Sequence, residues 1–299
     1  MKGHDGKLTS SSWKSPSETC CMKCRGKMAY IQLAHGQNPR FRVGCPRNRP
    51  ASRLGRARRI PMKVVILAAG TGSRLRPYTD ELPKALVPMN GKPLLAHMLD
   101  TLQVFPIEEL IVITGFRAEK LHAFFQGRPE TPTFIFNERF DTAGNGYSLL
   151  KAGPAALGHD FIKLDADLVF EPSVVEKLLA APGDVRLMAD VHPCGEEEMK
   201  IQIDAEGRIV NLSKLIDPAL AYGESIGMEF CTAAGSRQLF PELAAMMAEG
   251  LDQEYYEEAY GRLARAGAFV SATEVGKDQK WFEIDTIEDL RAAEKLFSC

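Results

Sequence analysis

The apolar run Lys63–Ala69 ends abruptly in Gly70-Thr71-Gly72, followed by Ser73-Arg74-Leu75-Arg76-Pro77. A run that is apolar on both faces suits a strand covered on both sides, which is how a parallel sheet is packed. A glycine-rich loop at the end of such a strand lets backbone N–H groups approach a phosphate closely, because glycine has no side chain in the way. Arg74 adds a bidentate donor for phosphate oxygens. Ten residues further on, Leu82-Pro83-Lys84-Ala85-Leu86 holds a lysine on a stretch stiffened by Pro83.

Two commoner glycine loops do not fit. The dinucleotide fingerprint needs a third glycine where this chain has Leu75, and a P-loop lysine would be followed by Ser or Thr, whereas Gly91-Lys92 precedes Pro93.

Strand-like and helix-like segments then alternate. Strands are expected at 63–69, 109–113, 133–136 and 161–164, and helices at 94–104, 117–126, 146–152 and 172–180, which predicts an α/β layer fold with a mostly parallel sheet. Short strands follow at 185–190, 200–204, 208–213 and 225–230, with Glu206-Gly207 as a hairpin turn. Helices near 236–249, 255–266 and 286–297 and strands at 269–275 and 281–284 complete the expectation.

Charge divides the chain. Residues 1–61 carry 14 lysines and arginines against 2 acidic residues, while the whole 299-residue chain carries 37 against 39. That leaves 23 basic and 37 acidic residues for 62–299, which argues against nucleic acid engaging the whole chain. The head shows no sustained apolar period, so it is expected to be a disordered extension, and one reading makes it sequence upstream of a domain that starts at Met62. A zinc site from Cys21, Cys24, Cys45 and His35 lacks a complete framework. An arginine arm over 53–59 and a transit peptide are the other readings of the head. The folded domain is expected to be 62–299. No stretch approaches 18 apolar residues, which argues against a membrane-spanning helix. The six histidines and the body's cysteines Cys194, Cys231 and Cys299 show no ligand spacing; the cysteines read as reduced, and the body as cytoplasmic.

The segment LAAGTGSRLRPYTDELPKALVPMNGKPLL resembles the nucleotidyltransferases that make activated sugars and alcohols. Gly144-Asn145-Gly146-Tyr147-Ser148-Leu149 is similar to a segment of their cytidylyltransferase branch, which acts on phosphocholine, 2-aminoethylphosphonate or inositol-1-phosphate. Trp281-Phe282-Glu283-Ile284-Asp285-Thr286 resembles the family's closing segment. The resemblance implies a Rossmann-like three-layer α/β/α fold and transfer of CMP from CTP to a phosphorylated alcohol, amino alcohol or polyol. The alternative is a sugar-1-phosphate uridylyl-, thymidylyl- or guanylyltransferase.

It further implies that Arg74, Lys84 and Asp167 are catalytic and that Leu67, Ala68, Ala69, Gly70, Thr71, Gly72, Ser73, Arg74, Lys84, Gly144, Asn145 and Ser148 bind the nucleotide. Lys214 and Glu229 fall at acceptor positions, and Asp167 and Asp285 at those of Mg²⁺ ligands, with Asp165 less certain. Tyr255, Tyr256 and Trp281 are candidates for a wall around a cationic head group or, more simply, for core.

Overall fold

The computed structural model describes residues 61–298. The expectations for the basic head and for Cys299 lie outside the described residues.

The strand Met62–Ala68 is buried along its whole length and sits between two parallel neighbours, Ile107–Thr114 and Phe161–Asp165. Alternation along it builds the layers. Val64, Ile66 and Ala68 pack with Leu95, Met98, Leu121 and Val175 from the helices Leu94–Leu102, Ala118–Phe125 and Pro172–Ala180. Val65, Leu67 and Ala69 face Leu149, Leu239, Leu243 and Tyr260 from the helices Asn145–Lys151, Ala233–Ala248 and Tyr256–Arg265. Each such aliphatic side chain contributes roughly 1.5–3 kcal/mol on burial. The arrangement is the expected three-layer α/β/α sandwich.

Nine strands form one mixed sheet among the described residues. Thr133–Phe136 extends the parallel block beyond Ile107–Thr114. On the other side, Gly223–Cys231 runs antiparallel to Phe161–Asp165, Val185–Asp190 and Lys200–Ile203. Val270–Glu274 adds parallel to Val185–Asp190, and Ile209–Ser213 closes the far edge against Lys200–Ile203. Gly207, at φ +78°, makes the expected turn between those last two strands. Its carbonyl-side partner Asp204 accepts from the Gly207 and Arg208 backbone N–H groups.

Two features depart from the sequence reading. Leu168–Phe170 is a strand, which pairs antiparallel with Trp281–Glu283 away from the main sheet. A third small core, with Leu75, Val87, Met89, Val169, Ile284 and Leu290, lies beneath that pair and anchors the C-terminal helix Ile287–Leu296. The helix starts at a capping box in which Thr286 and Asp289 satisfy each other's backbone N–H.

Chain connection leaves Met62–Ala68 through a helix to one neighbour, while the other neighbour arrives later from the opposite side. Strand order therefore reverses at Met62–Ala68, and ligands of open α/β sheets bind beyond the carboxyl ends of strands at such a point. Leu67 lies directly opposite Asp165 there.

Candidate active site

The glycine loop is held rigidly. Gly72 has φ +61°, and a Cβ on it would come within 3.0 Å of Lys84 Cβ and 3.1 Å of Thr79 Cγ2. Thr79 Oγ1 donates to the Gly72 carbonyl at 2.7 Å. The loop continues into a single 3-10 turn, Ser73–Leu75, anchored by the buried Leu75. A second such turn, Lys84–Leu86, presents Lys84 beside the loop. Only glycine tolerates both the left-handed backbone and the close packing at position 72.

Lys84 Nζ donates to Asp167 Oδ2 and to Asp285 Oδ1, each at 2.5 Å. Arg74 reaches the other oxygen of Asp285 at 2.8 Å. Burial lowers the Lys84 pKa, but the adjacent Asp167 and Asp285 carboxylates outweigh it and hold the ammonium well above its ordinary value. Asp167 and Asp285 come together because Asp167 leads into the strand Leu168–Phe170, whose partner Trp281–Glu283 leads to Asp285. The Ile284 N–H donates to the Asp167 carbonyl at 3.2 Å and pins the two ends.

A third carboxylate belongs here that the sequence reading did not assign. Glu283 joins Asp167 and Asp285, with one oxygen of each within 4.8 Å of the others. Burial and the two neighbouring aspartates hold the Glu283 carboxyl well above its usual range. The signal was present two residues before Asp285, at the spacing that puts alternate strand residues on one side. Asp167 Oδ1 is buried without a hydrogen-bond partner. An orphaned carboxylate oxygen beside two further carboxylates fits a hard divalent cation such as Mg²⁺.

The loop, Lys84 and these acids line one cavity of about 980 Å³. Leu67, Ala68, Ala69, Gly70, Thr71, Ser73, Gly144, Asn145, Ser148, Lys214 and Trp281 also face it. At Gly144 a Cβ would meet the Gln253 and Glu254 carbonyl oxygens at 2.5 Å, so the chain passes there without a side chain. Asn145 Oδ1 accepts from the Tyr256 backbone N–H at 3.0 Å, which braces the start of the helix Tyr256–Arg265 from across the site. That bond leaves the Asn145 amide NH₂ as a donor. Ser148 accepts from Asn137 Nδ2 at 2.9 Å. Lys214 Nζ stands 5.0 Å from the centroid of the Tyr255 ring.

Glu229 corrects the sequence expectation of an acceptor contact. It is 1% exposed and does not line the cavity. Its partner is Lys163, fully buried, at 2.9 Å, directly opposite it in the sheet. Lys163 Nζ also lies 3.1 Å from Asp165 Oδ1 and 3.4 Å from the centroid of the Tyr256 ring. Tyr256 OH donates to Asp165. Burial pushes the Glu229 carboxyl up to about 8, against the opposing pull of Lys163. Asp165 and Tyr256 thus belong to a charged network that reaches the cavity wall, with Tyr256 also packed in the core.

The expectation of no ligand spacing among the body histidines and cysteines is also corrected. His192, Cys194 and Glu198 bring one donor atom each within 4.8 Å of one another.

Comparison with known proteins gives relatives of more than one kind. The chain is 31% identical over 151 residues to the bifunctional protein GlmU of Methanococcus maripaludis, covering 50% of this chain and 35% of that one. It is 28% identical over 247 residues to the CMP-5'-(3-aminopropyl)phosphonate synthase of Streptomyces rubellomurinus, covering 80% of this chain and 39% of that one. The chain therefore spans little more than a third of the length of these relatives. The solved CTP:phosphocholine cytidylyltransferase from Streptococcus pneumoniae superposes with a TM-score of 0.66 at 22% identity, covering 80% of this chain and all of that one, and so shares the fold. No described helix is long and apolar enough to cross a membrane. Residues 64–262 match the family described as the MobA-like NTP transferase domain, and with the glycine loop, Lys84 and the carboxylates in place around one cavity, the chain belongs to that family.

Proposed function

We propose that this protein transfers CMP from CTP to the phosphate or phosphonate of a small alcohol, amino alcohol or polyol and releases pyrophosphate. The observation that carries this reading is the convergence of Arg74 and Lys84 on Asp167 and Asp285 at the glycine loop, where two polyanions would have to meet.

An acceptor oxygen attacks the α-phosphorus, forming one P–O bond, and the bond from the α-phosphorus to the oxygen bridging it to the β-phosphorus breaks. The nucleophile is already an anion, so the enzyme's task is positioning and charge neutralisation rather than proton removal. The backbone N–H groups of Gly70–Arg74 and the Arg74 guanidinium bind the triphosphate. Lys84 neutralises charge that builds on the α-phosphate and the leaving pyrophosphate. Asp167, Asp285 and Glu283 are the residues that would hold Mg²⁺, which supplies further charge neutralisation when bound. Asn145 and Ser148 contact the base or ribose, and Lys214 offsets the acceptor's negative charge. The CMP-phosphonate relative and the cytidylyltransferase fold neighbour support CTP. Cys194 and Cys231 are both unpaired, which supports work in a reducing compartment, the cytoplasm.

The test is pyrophosphate release with CTP, UTP, GTP and dTTP against phosphocholine, 2-aminoethylphosphonate, inositol-1-phosphate and glucose-1-phosphate. Turnover with CTP and one of the first three is expected. Preferred turnover of glucose-1-phosphate with UTP, dTTP or GTP would replace this reading with a sugar-1-phosphate nucleotidyltransferase. Unchanged acceptor KM and kcat in Lys214→Ala would remove Lys214 from the site.

A further inference from the structure

The loop after the strand Val185–Asp190 gathers a second set of ligand-type side chains, distinct in chemistry from the three carboxylates beside Lys84. His192 Nε2 lies 3.3 Å from Glu198 Oε2 and 4.0 Å from Glu224 Oε2. On the other side of the ring, Nδ1 lies 3.3 Å from Asp190 Oδ2. Nδ1 is sealed from solvent and has no hydrogen-bond partner of good geometry. The Cys194 thiol is buried within the same group.

Tetrahedral zinc with bonds of about 2.0–2.3 Å places its ligand atoms roughly 3.3–3.7 Å from one another. The Nε2–Oε2 separation already has that value, and the set of three closes within 4.8 Å. One ring nitrogen faces the ligand set, and the other lies 3.3 Å from Asp190 Oδ2, a carboxylate placed to accept its N–H once the ring is fixed by a metal, though no hydrogen bond is made there now. The loop is braced by contacts within the protein. Gly195 N–H donates to Glu198 Oε2 at 2.7 Å. The buried Lys200 ammonium donates to the carbonyls of Gly195, Glu196 and Glu198 at 3.0, 2.7 and 3.2 Å.

We propose that His192 Nε2, Cys194 Sγ and Glu198 form a binding site for a zinc-class transition-metal ion in the cavity wall, with Asp190 orienting His192 and Glu224 standing at the fourth position. Imidazole and thiolate donors select such a metal over Mg²⁺, which prefers oxygen throughout. Binding breaks the Cys194 S–H bond, sends its proton to solvent and forms a sulfur–metal bond. His192, Glu198 and Glu224 all line the cavity, so the ion would sit beside whatever occupies it. The ion would bind these residues whichever nucleotide or acceptor the enzyme uses.

Cobalt reports on this site by a signal other than turnover, because a thiolate ligand gives Co²⁺ a near-ultraviolet charge-transfer band that oxygen ligands do not. The protein to titrate is the full chain with Cys20, Cys21, Cys24 and Cys45 replaced by Ser, so that only body thiols remain. One thiolate-bound Co²⁺ per chain is expected, displaced by Zn²⁺ and not by millimolar Mg²⁺. Cys194→Ser should abolish the band, while Cys231→Ser and Cys299→Ser should retain it. His192→Ala and Glu198→Gln should each weaken Co²⁺ binding by more than about tenfold, with circular dichroism unchanged. The proposal is overturned if the four-serine protein shows no thiolate band, if the band survives Cys194→Ser in a folded protein, or if Mg²⁺ displaces it.

Discussion

Lys84 occupies the space between two carboxylates in the described structure, and its removal should have two separable effects. In Lys84→Ala the turnover number should fall on the order of 10²-fold with a smaller change in KM, since the ammonium matters most as charge develops. A rise in KM alone would make Lys84 a binding residue. Without the ammonium, Asp167, Glu283 and Asp285 face one another with only Arg74, on Asp285, to offset their charge. Added Mg²⁺ should then raise the melting temperature of Lys84→Ala more than that of the unaltered protein, because an ion that binds only the folded state stabilises it by an amount that grows with the logarithm of its affinity. Equal shifts in the two proteins would remove these carboxylates as the ion's ligands.

Among the elements, the start of the helix Tyr256–Arg265 ties the nucleotide side of the cavity to the core. Asn145 Oδ1 is the acceptor for the Tyr256 N–H. Asn145→Ala should cost about 1 kcal/mol of stability, as loss of a helix cap does. Asn145→Asp keeps the acceptor and removes the NH₂ donor, so stability should hold while the KM for CTP rises. Equal loss of stability in the two variants would show that the amide NH₂, and not Oδ1, braces the helix. Gly144→Ala tests the same junction from the backbone. The added methyl meets two carbonyl oxygens at 2.5 Å that belong to the segment leading into the helix. A loss of about 1–3 kcal/mol is expected, read from the shift in urea midpoint. An unshifted midpoint would mean that the segment 253–254 yields freely.

For the molecule as a whole, the buried network in the cavity wall makes stability depend on pH. Glu257 lies in it with Lys163 and Asp165, and burial pushes its carboxyl up to about 7, against the pull of Lys163. In the unfolded chain it ionises at the ordinary 4.5. Between those values the unfolded state gives up the proton while the folded state keeps it, so folding free energy weakens as pH rises and levels off above about 7. Glu257→Gln removes that dependence. Its stability relative to the unaltered protein should be greater at pH 8 than at pH 5 by on the order of 2 kcal/mol, measured by urea unfolding. A difference that does not change with pH would show that Glu257 ionises alike in both states.

The sequence by itself determined the layer fold, the glycine loop and the place of Lys84, because apolar period and glycine content are local properties that survive without knowledge of the partner segments. Resemblance supplied Asp167 and Asp285, which stand 83 and 201 residues from the lysine they share. Only the tertiary structure decided which polar residues face the cavity. In the strand Gly223–Cys231 nearly every residue is buried on whichever face it lies, so alternation carries no information about sides. The strand also carries a register shift between Ser225 and Glu229, around Gly227 at φ +72°, although Ile226, Met228 and Phe230 keep to one core and Cys231 to the other. Glu229 meets Lys163, its partner directly across the sheet, rather than an acceptor, and that pairing is set by long-range register. His192, Cys194 and Glu198 lie in a loop with no period at all, and their meeting depends on the carbonyl contacts of Lys200 and on the strands that carry Asp190 and Glu224 to the same wall. Local sequence fixes what a segment becomes, and long-range packing fixes what its side chains meet.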